Sequence, residues 1–206
     1  LRLLARMRRG ERVALVADSG TPAISDPGYV IVRACIDEGI PIEVVPGPSA
    51  AVAALVASGL PTARFAFEGF LPRKEGERRR RLKDLSADER TFVIFEAPGR
   101  LLATLEDLRE VLGNRRVAVA RELTKVHEEF LRGSIERVVE ALAGRELLGE
   151  AVLVVEGAAP LPGRLEEAAG MARELVEAGL SSSQAASRAA TRFGLQKRAV
   201  YQALLE

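Results

Sequence analysis

The sequence predicts an α/β fold that gives way to a purely helical tail. Three observations carry this reading. Short apolar runs alternate with segments of helical period from residue 13 to residue 156. Glycine or proline punctuates nearly every junction between them. Beyond residue 163 the apolar runs stop and helical patterns alone continue. Strand–helix–strand alternation reads as right-handed βαβ units on a sheet.

The opening, residues 1–9, is an amphipathic helix already under way, and the chain is read as the larger C-terminal part of a longer polypeptide. The continuous apolar run at 13–17 predicts a buried parallel strand. Asp26-Pro27 offers an N-cap and an N1 proline to a helix that carries Val30, Ile31, Ala34 and Cys35 and stops at Gly39. Residues 42–45 predict the next strand. Pro48 opens a second helix, with Ala51, Leu55 and Val56 inward and Gly59 as its stop. The stretch GLPTARF around Pro61 is the natural boundary, which makes 1–62 the first domain.

The next block mixes its connections. Strands are expected at 65–70, 91–97, 116–122, 128–132 and 150–156. Helices are expected at 98–112, ending at Gly113, and from the Ser134 cap to Gly144. Several of these strands follow one another with one helix or none between them, so the sheet is expected to be mixed. The domain spans 63–158. Residues 157–163, with two prolines, form a linker. The tail, 164–206, predicts three helices at 166–178, 183–193 and 196–205. Its spacing is that of a helix-turn-helix unit with Leu180, Ala186, Phe193, Leu195, Val200 and Leu204 as core.

Composition narrows the function. The chain has 206 residues, 48% hydrophobic and 29% charged, which supports a globular core and excludes overall disorder. No apolar run approaches the ~18 residues of a membrane helix. One cysteine and one histidine exclude an internal disulfide and a Cys/His zinc site, and fit a cytoplasmic setting. No metal site is expected. The net charge of +1 says nothing about nucleic acid.

Two loops leave the carboxyl ends of the predicted first strands, where open α/β sheets bind ligands. The first, DSGTPAISDPG, offers Asp18, Ser19 and Thr21 as polar partners and Gly20 for close backbone approach. The second is PGPSA, with Ser49 and Ala50 entering a helix. Prolines stiffen both and reduce the entropy lost on binding. Neither GxGxxG nor GxxxxGK[ST] occurs, so a dinucleotide fingerprint and a P-loop are absent.

The motifs VALVADSGTPAISDPG, VPGPSAAVAAL, FEGFLPRK, VIFEAPGRLLATLEDL, ARELTKVHEE and GEAVLVVEG follow one another in an order that resembles the tetrapyrrole methylase superfamily, and within it the family of ribosomal RNA small subunit methyltransferase I. The resemblance covers almost the whole chain. It implies a two-domain fold, with a parallel-sheet domain that is partial here, a mixed-sheet α/β domain and the helix-turn-helix-like tail. It implies S-adenosylmethionine (SAM) in the cleft, a homodimer, and transfer of the methyl group to the ribose 2′-hydroxyl of a cytidine in the decoding region of 16S rRNA, within the 30S subunit. It also implies that the first strand and its Pro/Gly-rich loop precede this chain. Carried over by motif, SAM contacts fall on Asp18, Ser19, Gly20, Thr21, Ile24, Ser49, Ala50, Glu96 and Leu123. Gly99 stands where the family pattern has a histidine.

Methyl transfer asks chiefly for alignment, plus a base for the hydroxyl proton. Glu96, Glu122 and Lys125 are the candidates, with His127 and Glu128 beside them; sequence does not choose among them. Packing explains Ile24 and Leu123 as readily as contact with SAM does, and Glu96 equally fits a helix cap. Arg73, Lys74, Arg78, Arg79, Arg80 and Arg81 are candidate RNA contacts, since consecutive arginines on a helix point in all directions. Arg188, Arg192, Lys197 and Arg198 give the tail a basic bias that suits either an RNA grip or a packing module. The rival enzyme is a small-molecule methylase on the same fold; the rival outside enzymes is a nucleic-acid-binding protein.

Overall fold

Two apolar segments, TFVIFE and AVLVV, form the middle of a five-stranded sheet because side chains on both of their faces find cover. The structure is a computed structural model that describes residues 2–159 and 162–205. The strands are β1 (Phe65–Phe70), β2 (Thr91–Glu96), β3 (Arg116–Arg121), β4 (Glu129–Ser134) and β5 (Ala151–Val155), in the spatial order β1-β2-β5-β3-β4. β1 pairs parallel to β2, and every other pairing is antiparallel. The mixed sheet is therefore as expected.

Alternation along the strands assigns the two faces. Phe92, Ile94, Val117, Val119, Leu153 and Val155 share one core with Leu82, Leu101, Leu105, Leu108 and Ile135. Those helical residues belong to α4 (Glu75–Asp84), α5 (Leu101–Leu112) and α6 (Ile135–Leu142). Pro98–Arg100 forms a 3-10 turn ahead of α5. The other face carries Val93, Ala118, Ala120, Val152 and Val154 beneath α3 (Ala50–Ser58), with Ala51, Ala54 and Leu55 facing them. Alanines on both sides let α3 lie close to the sheet. Each fully buried Leu or Phe in these cores contributes about 1.5–3 kcal/mol. Ser134 caps α6 by accepting from the Arg137 amide. Gly113 ends α5 with φ 80°.

The first 60 residues depart from expectation. Helices α1 (Arg2–Met7), α2 (Tyr29–Asp37) and α3 form, but no strand forms at 13–17 or 42–45. A strand exists through its ladder, and neither segment has a pairing partner among the described residues. Their side chains accordingly face outward: Val16 is 81% exposed, Val44 83% and Val45 89%. α2 starts at Tyr29 and not at Asp26-Pro27, since Gly28 has φ 145° and no side chain caps the helix. Val56 is exposed, contrary to its expected inward place, and Val30 on α2 is exposed as well.

The described chain divides into two compact units, Leu1–Gly157 and Ala158–Glu206. Within the first unit, α3 packs on strands from the following block. Within the second unit, α7 (Pro162–Glu177), α8 (Ser182–Phe193) and α9 (Lys197–Leu205) surround an alanine-rich core of Ala168, Ala172, Ala185, Ala186, Ala189 and Val200. Leu180, Phe193, Leu195 and Leu204 flank it, so the predicted tail core assembles. Ser181 and Gln184 form a reciprocal capping box on α8, and Gly194 closes the helix in the left-handed region. Of the predicted linker, residues 160 and 161 lie outside the described residues.

Candidate functional site

The loop at 18–28 folds through four positive-φ residues: Gly20 (71°), Ala23 (68°), Ser25 (58°) and Gly28 (145°). Ala23 and Ser25 hold this conformation at a steric cost, so the surroundings over-determine it. One fixed point is Thr21, whose Oγ1 donates to the Pro48 carbonyl at 3.0 Å. That bond ties the two Gly/Pro loops together. A second is Gly69 on β1, where an added Cβ would lie 3.3 Å from Ser25 Oγ. Ser49 accepts from the Val52 amide at 3.4 Å and so caps α3. Ala50 and Leu123 pack on one apolar cluster with Phe67 and Phe95, on the α3 face of the sheet.

Thr21, Ser49, Ala50 and Leu123 thus converge at one side of the sheet. Asp18, Ser19, Gly20 and Ile24 lie exposed on the same loop, Ile24 at 46%. Ile24 is therefore no core residue. A Cβ on Gly20 would meet nothing within 4 Å, so the backbone there borders open space. Residues 2–4 and 26–31, with Ala34, line an open apolar depression of about 640 Å³ between α1 and α2; neither Thr21 nor Pro48 nor Leu123 lines it.

Glu96 does not join this group. On β2, Phe95 points to the α3 face, so Glu96 points to the opposite one. It is 2% exposed. Its Oε1 accepts from the Ala97 amide and Arg100 Nε, both at 2.7 Å, and its Oε2 accepts from Thr104 Oγ1 at 2.7 Å. Both oxygens serve the start of the 3-10 turn and α5. Glu96 is thereby occupied as a cap of this helix start, one of the two readings its sequence position offered.

The β3–β4 connection holds the other two base candidates. Glu122 sits at φ 49°, and its Oε1 accepts from Lys125 Nζ at 3.0 Å and from the Glu150 amide at 2.8 Å. The Lys125 hydrogen bond, then the Glu150 amide, hold the Glu122 carboxyl below its ordinary range. Glu122, then Glu150, hold the Lys125 ammonium above its own. Glu122, Lys125 and Glu150 thus form one polar cluster at this connection. His127 is exposed, and Glu128 closes the loop by accepting from the Thr124 amide at 2.7 Å.

The arginines of α4 divide by direction. Arg78 is 6% exposed; its Nε donates to Asp107 at 2.6 Å and its Nη1 to the Arg73 carbonyl at 3.2 Å. Arg79 pairs with Asp107 at 2.6 Å, Glu110 at 2.8 Å and Glu75 at 3.1 Å. Arg81 pairs with Glu68 at 2.6 Å, and Lys74 with Glu77 at 3.3 Å. Arg73 and Arg80 are exposed. The Arg78 guanidinium is buried against the Asp107 carboxylate. Arg79 and Arg81 already carry counter-charges.

Sequence reasoning missed the aromatic group Phe67, Phe70 and Phe95. Phe67 and Phe70 meet Phe95 edge-on, with ring centroids at 4.9 and 5.7 Å. The ladder slips a residue between Phe67 and Gly69, which turns both phenylalanines to one face. The glycine inside FEGF was the available signal for that bulge. Among the described residues no group of three His, Cys, Asp or Glu side chains gathers to hold a metal ion. No helix among them is long and apolar enough to cross a membrane.

Residues 1–139 match the family described as Tetrapyrrole (Corrin/Porphyrin) Methylases, and residues 164–206 match the RsmI C-terminal HTH domain. The chain is 48% identical to ribosomal RNA small subunit methyltransferase I of Mycobacterium tuberculosis, over 99% of this chain and 72% of that one. It is 45% identical to the protein of the same name from Synechocystis sp., over 99% of this chain and 75% of the relative. Among solved structures it resembles the methyltransferase CobJ, with a TM-score of 0.55 and 22% identity over 77% of this chain and 70% of that one. That likeness shows the fold.

Proposed function

The chain belongs to the ribosomal RNA small subunit methyltransferase I family of the tetrapyrrole methylases, and on that premise we propose that it transfers a methyl group from SAM to the ribose 2′-hydroxyl of a cytidine in the decoding region of 16S rRNA. The observation that carries the reading is the 48% identity sustained over 99% of the chain, tail included. The tie between Thr21 and Pro48 supports it, because it joins the two loops that the cofactor would bridge.

The residues present fit SAM. Asp18, Ser19, Gly20, Thr21, Ile24, Ser49, Ala50 and Leu123 are its contacts in this reading. The open space beside Gly20 admits a ligand to the backbone, and Leu123, Ala50 and Phe95 offer apolar surface next to it. SAM supplies an already activated methyl group on its sulfonium. The contribution of the chain is alignment, and rigid loops serve it because little entropy remains to be lost on binding. Glu122 and Lys125, joined by a 3.0 Å hydrogen bond, are the base candidates of the β3–β4 connection in this reading. Residues 1–62 and 63–158 act as the two lobes of the cleft, and the enzyme works in the cytoplasm as a homodimer on the 30S subunit. Exposed Val16, Tyr29, Val30, Val44 and Val45 are apolar surface of the kind that subunit contacts cover.

The test is incubation of the protein with SAM and 30S subunits from a strain lacking the family's enzyme, followed by nucleoside mass spectrometry. One new 2′-O-methylated cytidine in 16S rRNA is expected. Methylation of a tetrapyrrole precursor with none in rRNA would replace this reading with a small-molecule methylase.

A further inference from the structure

The charges of the second unit are sorted by helix. Glu166, Glu167, Glu174 and Glu177 are all exposed on α7, whereas residues 178–205 contain no Asp or Glu. Within that acid-free stretch, Arg188 and Arg192 stand four residues apart on the exposed side of α8. Lys197 and Arg198 stand on the exposed first turn of α9, with Tyr201 one turn on at 37% exposed. Among the described residues, none of Arg188, Arg192 and Arg198 pairs with a carboxylate. This contrasts with α4, where Arg78, Arg79 and Arg81 all do.

The two helices are also fixed as a frame. Lys197 Nζ donates to Ser183 Oγ at 2.7 Å, which holds the start of α9 to the start of α8. Arg173 donates to the Ala203 carbonyl at 3.0 Å, which holds the end of α9 to α7. Rigid placement lowers the ordering cost of any contact made by the free arginines.

We propose that the acid-free α8–α9 face grips the phosphate backbone of the substrate RNA, and that it, rather than the arginine run of α4, is the principal electrostatic RNA contact of this chain. The proposal rests on rRNA being the substrate. Guanidinium groups suit phosphate oxygens geometrically, and the exposed Tyr201 ring suits an unstacked base.

The experiment titrates protein-free 16S rRNA and intact 30S subunits with the whole chain across a salt series. The first variant is Arg188→Ala/Arg192→Ala/Arg198→Ala; the second carries Lys at the same positions. Losing three phosphate contacts should flatten the plot of log K against log salt by about two. The Lys variant should keep the original slope, which separates lost charge from lost folding. SAM affinity should be unaltered in both. An unchanged slope in the Ala variant overturns the proposal, and so does an equal loss in the Lys variant. A loss seen with 30S subunits but not with naked rRNA assigns the face to an acidic ribosomal protein and also overturns it. A wild-type chain that binds rRNA with a steep slope lost in the Ala variant, yet methylates none, removes the proposed function and leaves this face standing.

Discussion

Asp107 does more for this chain than its place within an ordinary amphipathic helix suggests. Its two oxygens take Arg78 and Arg79, and its side chain is 4% exposed while that of Arg78 is 8% exposed. Removing one partner of a buried pair strands the other charge. Asp107→Ala should therefore lose about 3–5 kcal/mol of unfolding free energy in a urea titration. Arg78→Met/Asp107→Leu should recover much of that loss, because no buried charge is then left. Glu96 obeys the same logic. Glu96→Gln should lower stability by weakening the Arg100 and Thr104 contacts, while the pH–rate profile of methylation keeps its shape. A profile that lost its acidic limb would assign the base to Glu96.

Between elements, a few polar ties decide the assembly. Glu129 on β4 accepts from Arg121 on β3 at 2.7 Å and from Arg145 beyond α6 at 2.8 Å. Burial pushes its carboxyl up, but the hydrogen bonds from Arg145 and Arg121 outweigh this, and it titrates below the usual range. A group depressed in the folded state contributes stability above its unfolded pKa of about 4.3 and loses it as pH falls through the folded value. The urea midpoint should thus drop on acidification below about pH 4.3, and Glu129→Gln should make that drop shallower. Thr21→Val tests the tie between loops. Loss of one exposed hydrogen bond costs about 1 kcal/mol. SAM affinity should accordingly fall about fivefold, with the melting of the sheet little changed.

At the scale of the molecule, the apolar clusters respect the division into units. The two sheet cores draw on residues between Ala50 and Val155, and the tail core on residues between Leu165 and Leu204. Each unit therefore carries its own cooperative core. Calorimetry should show two transitions. A chain ending at Gly157 should keep the transition of the first unit and lose the other, and a single transition that vanished on truncation would contradict this. The small alanine-rich tail should melt first, since alanine buries little apolar area per residue.

By itself the sequence determined the alternation of elements from residue 65 onward, the mixed sheet, the helical tail with its core, and the family through its ordered motifs. Those are local or additive properties: period, turn chemistry, caps and motif order need no knowledge of partners. It also determined that the consecutive arginines of the α4 run point in all directions, though not that Asp107 would receive Arg78. Tertiary structure decided the rest. The apolar runs at 13–17 and 42–45 have strand composition but no ladder partner among the described residues, so pairing overrode pattern. Strand parity put Glu96 on the far face from Leu123, although both sit at strand ends that look alike in sequence. The downward shift of Glu122 and the upward shift of Lys125 follow from their hydrogen bonds to each other and to Glu150. Whether an arginine is free to hold a phosphate depends on which carboxylates the fold brings beside it. On α8 and α9, where residues 178–205 contain no Asp or Glu, the fold brings none beside Arg188, Arg192 and Arg198 among the described residues.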